Sequence, residues 1–233
     1  MTRSFSQTLG LGPRELVSFV GAGGKSTLLL GLGHELAKNG HRVVLTTTTK
    51  MGTNQIPPSS APVHDLDEVR RVIAAGNMAF LIGETDGPKV IGVPTAMVDE
   101  LFDDNSVDYI VVEADGARRR AIKAPAEHEP VIPSRSTTVV VVTGLDAVGN
   151  RVDEVAHRPE LVSAITGRGL DEKLTPEDLA AVIGSQSGGL ARVPDETRVV
   201  VALTQFRPDS KVAAESIQEA LRDHPRIDRI CTF

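Results

Sequence analysis

The stretch Leu16–Thr27, reading LVSFVGAGGKST, limits most tightly what this chain can fold into. Leu16, Val17, Ser18, Phe19 and Val20 form a β-prone, mostly apolar run. It passes directly into Gly21-Ala22-Gly23-Gly24-Lys25-Ser26-Thr27. Leu28, Leu29, Leu30, Leu32, Leu36 and Ala37 follow at helical spacing, and Asn39-Gly40 stops them. The pattern predicts strand, glycine loop, helix. Glycines let backbone N–H groups turn toward an anion with no Cβ in the way. The start of the helix adds further donors and positive potential. Lys25 supplies a point charge for β- and γ-phosphates, and Ser26 a hydroxyl for Mg²⁺. A plain strand-to-helix turn would account for the glycines but not for a lysine and two hydroxyls at the helix start. Gly21, Ala22, Gly23, Gly24, Lys25, Ser26 and Thr27 are therefore the candidate binding residues for a nucleoside triphosphate, ATP or another.

The loop is not the full G-x-x-x-x-G-K-[ST] pattern, because the position that pattern reserves for its first glycine is Phe19. Its shorter spacing resembles the G-T-N-G-K-T loop of Mur-type ligases. The chain's own Gly52-Thr53-Asn54 lacks a following Gly-Lys and carries no such signal.

The 233 residues suffice for one α/β domain over 1–233, with 144–195 a candidate helical insertion. A net charge of −6 and a near absence of stacking aromatics (no Trp, one Tyr) argue against a nucleic-acid partner. No apolar run approaches the roughly 20 residues that span a bilayer, so no membrane association is expected. The start MTRSFSQTLGLGPREL has no long apolar segment and so does not read as a secretory leader. The single cysteine, Cys231, rules out an internal disulfide and suits a reducing, cytoplasmic setting. It reads as a small residue in a last strand.

Phe5, Leu9 and Leu11 fit a short packed helix before the glycine-loop strand. Beyond the loop helix, Arg42–Leu45 reads as a second parallel strand ending in Thr46-Thr47-Thr48-Thr49-Lys50-Met51. Open α/β sheets place ligands at carboxyl ends of strands, so these hydroxyls, Thr48 in particular, are candidate Mg²⁺ ligands. A threonine-rich strand continuing its pleat is the alternative. Residues 55–62 read as a proline- and serine-rich loop, Asp65 opens a helix that Gly76-Asn77 stops, and Met78–Ile82 is a buried strand. Glu84–Gly87 reads as a turn, with Lys89–Val93 returning as the second strand of a hairpin.

Asp108–Val112 is a further central strand, ending in Glu113-Ala114-Asp115-Gly116. An apolar strand delivering a carboxylate beside a phosphate loop is how such folds hold Mg²⁺ or its water. Taken alone, acids at a strand end are merely solvated. With the glycine loop upstream, Ser26, Thr48 and Glu113 are candidate metal ligands, and Lys25, Glu113 and Asp115 candidate catalytic residues. The next segment, ARRRAIKAPAEHEPVIP, places a cationic cluster and titratable groups on a proline-stiffened loop. Arg118, Lys123, Glu127, His128 and Glu129 are its candidate substrate-binding residues. Their spacing matches no zinc pattern. Thr137–Val142 and Arg198–Leu203 read as strands, Thr175-Pro176 as the capped start of a helix to Gly184, Asp209–Leu221 as an amphipathic helix and Ile227–Phe233 as a last strand. Apolar strands alternating with helices imply a three-layer, mainly parallel, doubly wound sheet.

VGAGGKST, TTTTKM, VVEADGA, KAPAEHEPVIP, VTGLDAVG, HRPE and LTPEDLA occur in that order, and together resemble the YqeC family over residues 16–205. The resemblance implies a P-loop-type nucleotide-binding fold and an accessory role toward selenium-dependent molybdenum hydroxylases. Their cofactor enzymes or maturation proteins would then be partners. Leu203-Thr204-Gln205-Phe206-Arg207-Pro208-Asp209 stands where a base-reading Asn-Lys-x-Asp element is expected, and the Asn-Lys pair is missing. Two main readings follow. One is a Mg²⁺-dependent NTPase or ATP-using transferase or ligase. The other is a non-catalytic, nucleotide-gated binding or chaperone protein for a molybdenum-cofactor enzyme. A non-nucleotide anion-binding module is the third.

Overall fold

The computed structural model describes residues 4–57, 60–76 and 78–233. Asn77 of the expected helix stop, Pro58 and Ser59 of the expected loop, and the first three residues of the chain lie outside them. The described residues group into two compact units. One comprises Met1–Phe19, Ser26–Gly116 and Val131–Thr138; the other comprises Val20–Lys25, Ala117–Pro130 and Val139–Phe233.

The first unit holds α1 (Phe5–Leu9), most of β1 (Glu15–Gly21), most of α2 (Lys25–Lys38), β2 (Val43–Thr47), β3 (Met51–Gly52), β4 (Ala61–Val63), α3 (Leu66–Ala74), β5 (Ala79–Leu81), β6 (Thr85–Asp86), β7 (Lys89–Val90), α4 (Thr95–Asp103) and β8 (Tyr109–Glu113). Its main strands lie in the order β1-β8-β2-β5-β4. Every pairing among them is parallel. Parallel strands covered on both faces read as continuous apolar runs, and all five residues of β2 and of β8 are buried. Leu16, Phe19, Leu45, Phe80 and Ile110 are fully buried in this core.

The sequence places most of these elements correctly and errs at their edges. β2 runs on through Thr46 and Thr47. β4 falls in the stretch expected to be loop. It is the edge strand, the one place in a sheet where Pro62 removes no ladder hydrogen bond. The hairpin is built from β6 and β7, with the expected turn itself supplying the first strand. β7 also pairs with β3.

The second unit holds β9 (Ile122–Lys123), most of β10 (Thr138–Gly144), α5 (Val152–Val155), β11 (Ala156–His157), α6 (Pro159–Thr166), α7 (Pro176–Gly184), β12 (Arg198–Thr204), α8 (Lys211–Ala220) and β13 (Arg229–Thr232). The strand order is β13-β12-β10, and β9 pairs in parallel with β11. α7 begins as its sequence dictates. The Thr175 hydroxyl accepts from the Asp178 N–H at 3.3 Å, and the Asp178 carboxylate accepts from the Thr175 N–H at 2.8 Å. Cys231 is buried in β13, and burial pushes its thiol up to about 11, so it is an inert packing residue. The fold class is α/β with a mainly parallel sheet flanked by helices. Among the described residues no helix is long and apolar enough to cross a membrane.

α1 has only five residues and no intrinsic stability. It is held by Glu35 of α2, whose carboxylate accepts from the Phe5 N–H at 2.5 Å, the Ser6 N–H at 2.9 Å and the Ser6 hydroxyl at 2.6 Å. Burial pushes the Glu35 pKa upward, but the hydrogen bonds from Ser6 and Phe5 outweigh it and hold the carboxyl below its ordinary value. Glu35→Ala is expected to release α1 and to cost about 1–2 kcal/mol. The check is a thermal melt, together with faster amide exchange confined to residues 5–9.

Candidate functional site

In the second unit the glycine loop is fixed by steric contact as well as by dihedral angle. Gly21, Gly23 and Gly24 have φ of +89°, +87° and +115°, in the left-handed region where side chains are strained. A Cβ on Gly21 would lie 2.3 Å from the Val142 carbonyl oxygen, and one on Gly23 2.3 Å from the Gly144 nitrogen. Both positions exclude any other residue. Gly24 meets nothing closer than Thr204 at 3.7 Å and is exposed. The Ala22 N–H donates to the Val142 carbonyl at 2.9 Å, so this amide is engaged by β10. The Thr204 hydroxyl, at the end of β12, donates to the Gly23 carbonyl. Lys25 is 4% exposed and its Nζ donates to the Gly21 carbonyl at 2.5 Å, across the loop.

In the first unit the first turn of α2 presents Ser26 to the end of β8. The Ser26 Oγ donates to Glu113 Oε2 at 2.7 Å and accepts from Gln55 Nε2 at 2.8 Å. The Gln55 carbonyl accepts from the Gly52 N–H at 3.0 Å, which fixes the amide. The parallel register puts Glu113 opposite Phe19 on one side and Thr47 on the other. Its main-chain carbonyl accepts from the Thr48 N–H at 3.1 Å and the Thr47 hydroxyl at 3.0 Å.

The expected row of threonine hydroxyls is thus largely tied to backbone. Thr46 donates to the Leu81 carbonyl at 2.7 Å, and Thr48 to the Val131 carbonyl at 2.6 Å. Asp115 is 2% exposed, two residues past Glu113, and Thr27 is exposed on α2. Among the described residues no three or more His, Cys, Asp or Glu side chains are grouped to hold a metal. What the unit offers instead is a hydroxyl and a carboxylate 2.7 Å apart, both hard oxygen donors.

The charged loop of the second unit is organised by the short β9–β11 pairing, which aligns Lys123 with His157. Lys123 Nζ lies 2.7 Å from Glu129 Oε2, and an Arg158 nitrogen lies 2.8 Å from the same oxygen. The Lys123 side chain is fully buried and that of Glu129 is 13% exposed. Burial alone would raise the Glu129 pKa, but hydrogen bonds and charge from Arg158 and Lys123 outweigh it and hold the carboxyl at about 2. Burial, with the Arg158 and Lys123 charges beside it, lowers His157 to about 4, so its imidazole is neutral at neutral pH.

Arg118, Glu127 and His128 point into solvent, and the Glu127 carbonyl accepts from Arg192 at 3.1 Å. Arg118, Arg119, Arg158 and Arg192 all have positive φ, between 48° and 62°. Strain of this kind concentrates at functional sites. Of the sequence candidates, Lys123 and Glu129 are therefore brought together, while the side chains of the other three face outward. Gln55, Thr204, His157 and Arg158 were not among the candidates. The last two fall in the HRPE motif, which was legible as a motif but gave no partner.

Glu129→Gln leaves two cations, one fully buried, around a neutral amide, an imbalance expected to cost about 3 kcal/mol at pH 7. A carboxyl held at about 2 against an ordinary 4.5 contributes stability above 4.5 that is lost as pH falls toward 2. The difference in thermal midpoint between wild type and variant should therefore be full at pH 6 and close across that window. A pH-independent difference would count against the ion-pair account.

The model of the family described as YqeC protein matches residues 17–160. The protein titled "Uncharacterized protein YqeC" from Escherichia coli (strain K12) is 33% identical over 216 residues. The match covers 90% of this chain and 83% of that relative. The matched segment includes the glycine loop, Glu113 and the Lys123–Glu129–Arg158 cluster, and on these two matches the chain belongs to the YqeC family.

Proposed function

We propose that this protein is a cytoplasmic, Mg²⁺-dependent nucleotide-binding protein that couples an NTPase, or ATP-using transferase or ligase, reaction to the maturation of selenium-dependent molybdenum hydroxylases. The observation that carries the nucleotide reading is the hydroxyl–carboxylate pair of Ser26 and Glu113, 2.7 Å apart, directly after a glycine loop and lysine. An unremarkable strand-to-helix turn has no need for a serine hydroxyl held by a buried glutamate and a fixed glutamine.

The roles follow from chemistry. Amides of the loop and of the first turn of α2 attract phosphate. Lys25 exchanges the Gly21 carbonyl for phosphate oxygens and offsets charge developing on them. Ser26 and Glu113 suit Mg²⁺, a hard cation that favours hydroxyl and carboxylate oxygens, and Gln55 orients the hydroxyl. Bound there, Mg²⁺ would supply neutralisation of phosphate charge. Asp115, buried beyond Glu113, is assigned to orienting water or the acceptor. Phosphoryl and nucleotidyl chemistry of this type depends mostly on positioning and electrostatics. The accessory role rests on the family resemblance, and the cationic loop around Lys123 and Arg158 is assigned to the second, anionic substrate.

Calorimetric titration of ATP, GTP and CTP with Mg²⁺ tests this. At least one nucleotide is expected to bind wild type and to bind Lys25→Ala at least tenfold more weakly. Ser26→Ala should lose most of the Mg²⁺ dependence while keeping its fold. Wild type that binds no nucleotide and releases no phosphate, with or without molybdenum-cofactor intermediates, overturns the proposal.

A further inference from the structure

Within the second unit, a cavity of about 300 Å³ has among its lining residues the polar Asp146, Gln205, Arg207 and Asp209 and the apolar Leu145 and Val148. Two packing contacts connect it to the glycine loop. Gly23 lies against Gly144, as above, and a Cβ on Gly144 would sit 2.4 Å from Asp146 Oδ1. The carboxylate therefore covers a glycine that in turn packs on the loop. On the other wall, Thr204 bonds the Gly23 carbonyl and the next residue is Gln205. Gln205 is in the left-handed region at φ +58°. With its amide nitrogen turned to the carboxylate, as the hydrogen-bond network requires, it donates to Asp146 Oδ2 at 2.5 Å and Oδ1 at 2.9 Å. Burial raises the Asp146 pKa, and the Arg207 charge works against that rise. Asp146 and Gln205 are both exposed at the cavity, and the left-handed backbone of Gln205 is strain of the kind that concentrates at functional sites.

We propose that this cavity receives the base of the nucleotide whose phosphates the glycine loop holds, and that Asp146 and Gln205 select guanine. The inference rests on the nucleotide reading above. Guanine presents, along one edge, the O6 acceptor, the N1–H donor and the 2-amino donor. A carboxylate only accepts, through two oxygens, and matches the two adjacent donors. The neighbouring Gln205 amide, released from Asp146, donates to O6. Leu145 and Val148 supply an apolar surface for the ring. Adenine offers a single donor next to the N1 acceptor, which would leave one carboxylate oxygen facing a lone pair. Sites built to hydrogen-bond a donor discriminate strongly against analogues lacking it, because their own polar groups are then left unpaired. The missing Asn-Lys pair is thus replaced by a carboxylate from the end of β10 and an amide from the end of β12.

The experiment is calorimetric titration of wild type, Asp146→Asn and Gln205→Ala with GTP, ITP, ATP and inorganic tripolyphosphate, all with Mg²⁺. Wild type should bind GTP at least tenfold more tightly than ATP, with ITP, which lacks the 2-amino group, between them. Asp146→Asn should lose the preference and Gln205→Ala should reduce it. Both should bind tripolyphosphate as wild type does, which also reports that the loop is folded. GTP and ATP binding wild type equally, both lost in Lys25→Ala, overturns the guanine assignment and leaves the nucleotide reading standing. A GTP preference that survives in both variants overturns the assignment to this cavity. Failure of wild type to bind tripolyphosphate or any nucleotide overturns both readings.

Discussion

Two close approaches of backbone to backbone determine what the N-terminal loop can be. Gly21 lies against the Val142 carbonyl and Gly23 against the Gly144 amide, each at a distance no Cβ can occupy. With both φ values positive, the chain can leave β1 in only one way. The Gly23 carbonyl is bonded by Thr204, and Lys25 is folded across to Gly21. A loop restrained on so many sides costs little further ordering when it meets an anion. That is the physical meaning of preorganisation in a phosphate site.

The same economy appears around Ser26. Its hydroxyl bonds to a buried glutamate and is held by a glutamine whose own carbonyl is held by Gly52. Each group therefore has a fixed orientation, as the proposed Mg²⁺ role would require. The Lys123–Glu129–Arg158 cluster follows a different logic. Two cations share one carboxylate oxygen, next to a histidine that stays neutral.

Much of this was legible in the sequence because local chemistry decides it. Glycines followed by lysine and serine at the junction of a β-prone run and a helical one fix a strand–loop–helix unit. The Thr175-Pro176 cap fixes the start of α7, and an apolar run ending in an acid places Glu113. What could not be read depends on register and on contacts far apart in the chain. Arg158 reaches Glu129 across 29 positions through two-residue strands too short to leave a periodic signal. Asp146 and Gln205 meet only because the ends of β10 and β12 converge. The threonine row shows a related limit. Hydroxyls at a strand end can bond backbone as well as cations, and Thr46, Thr47 and Thr48 bond carbonyls of Leu81, Glu113 and Val131.

The central claim is that the amides following β1 are an anion site for a nucleotide. Amide hydrogen exchange across residues 21–30, with and without Mg²⁺ and nucleoside triphosphate, tests it most directly. The account predicts nucleotide-dependent slowing concentrated at Gly23–Thr27 and abolished in Lys25→Ala. Exchange in that segment unchanged by saturating nucleotide, or slowed only elsewhere in the chain, would contradict it.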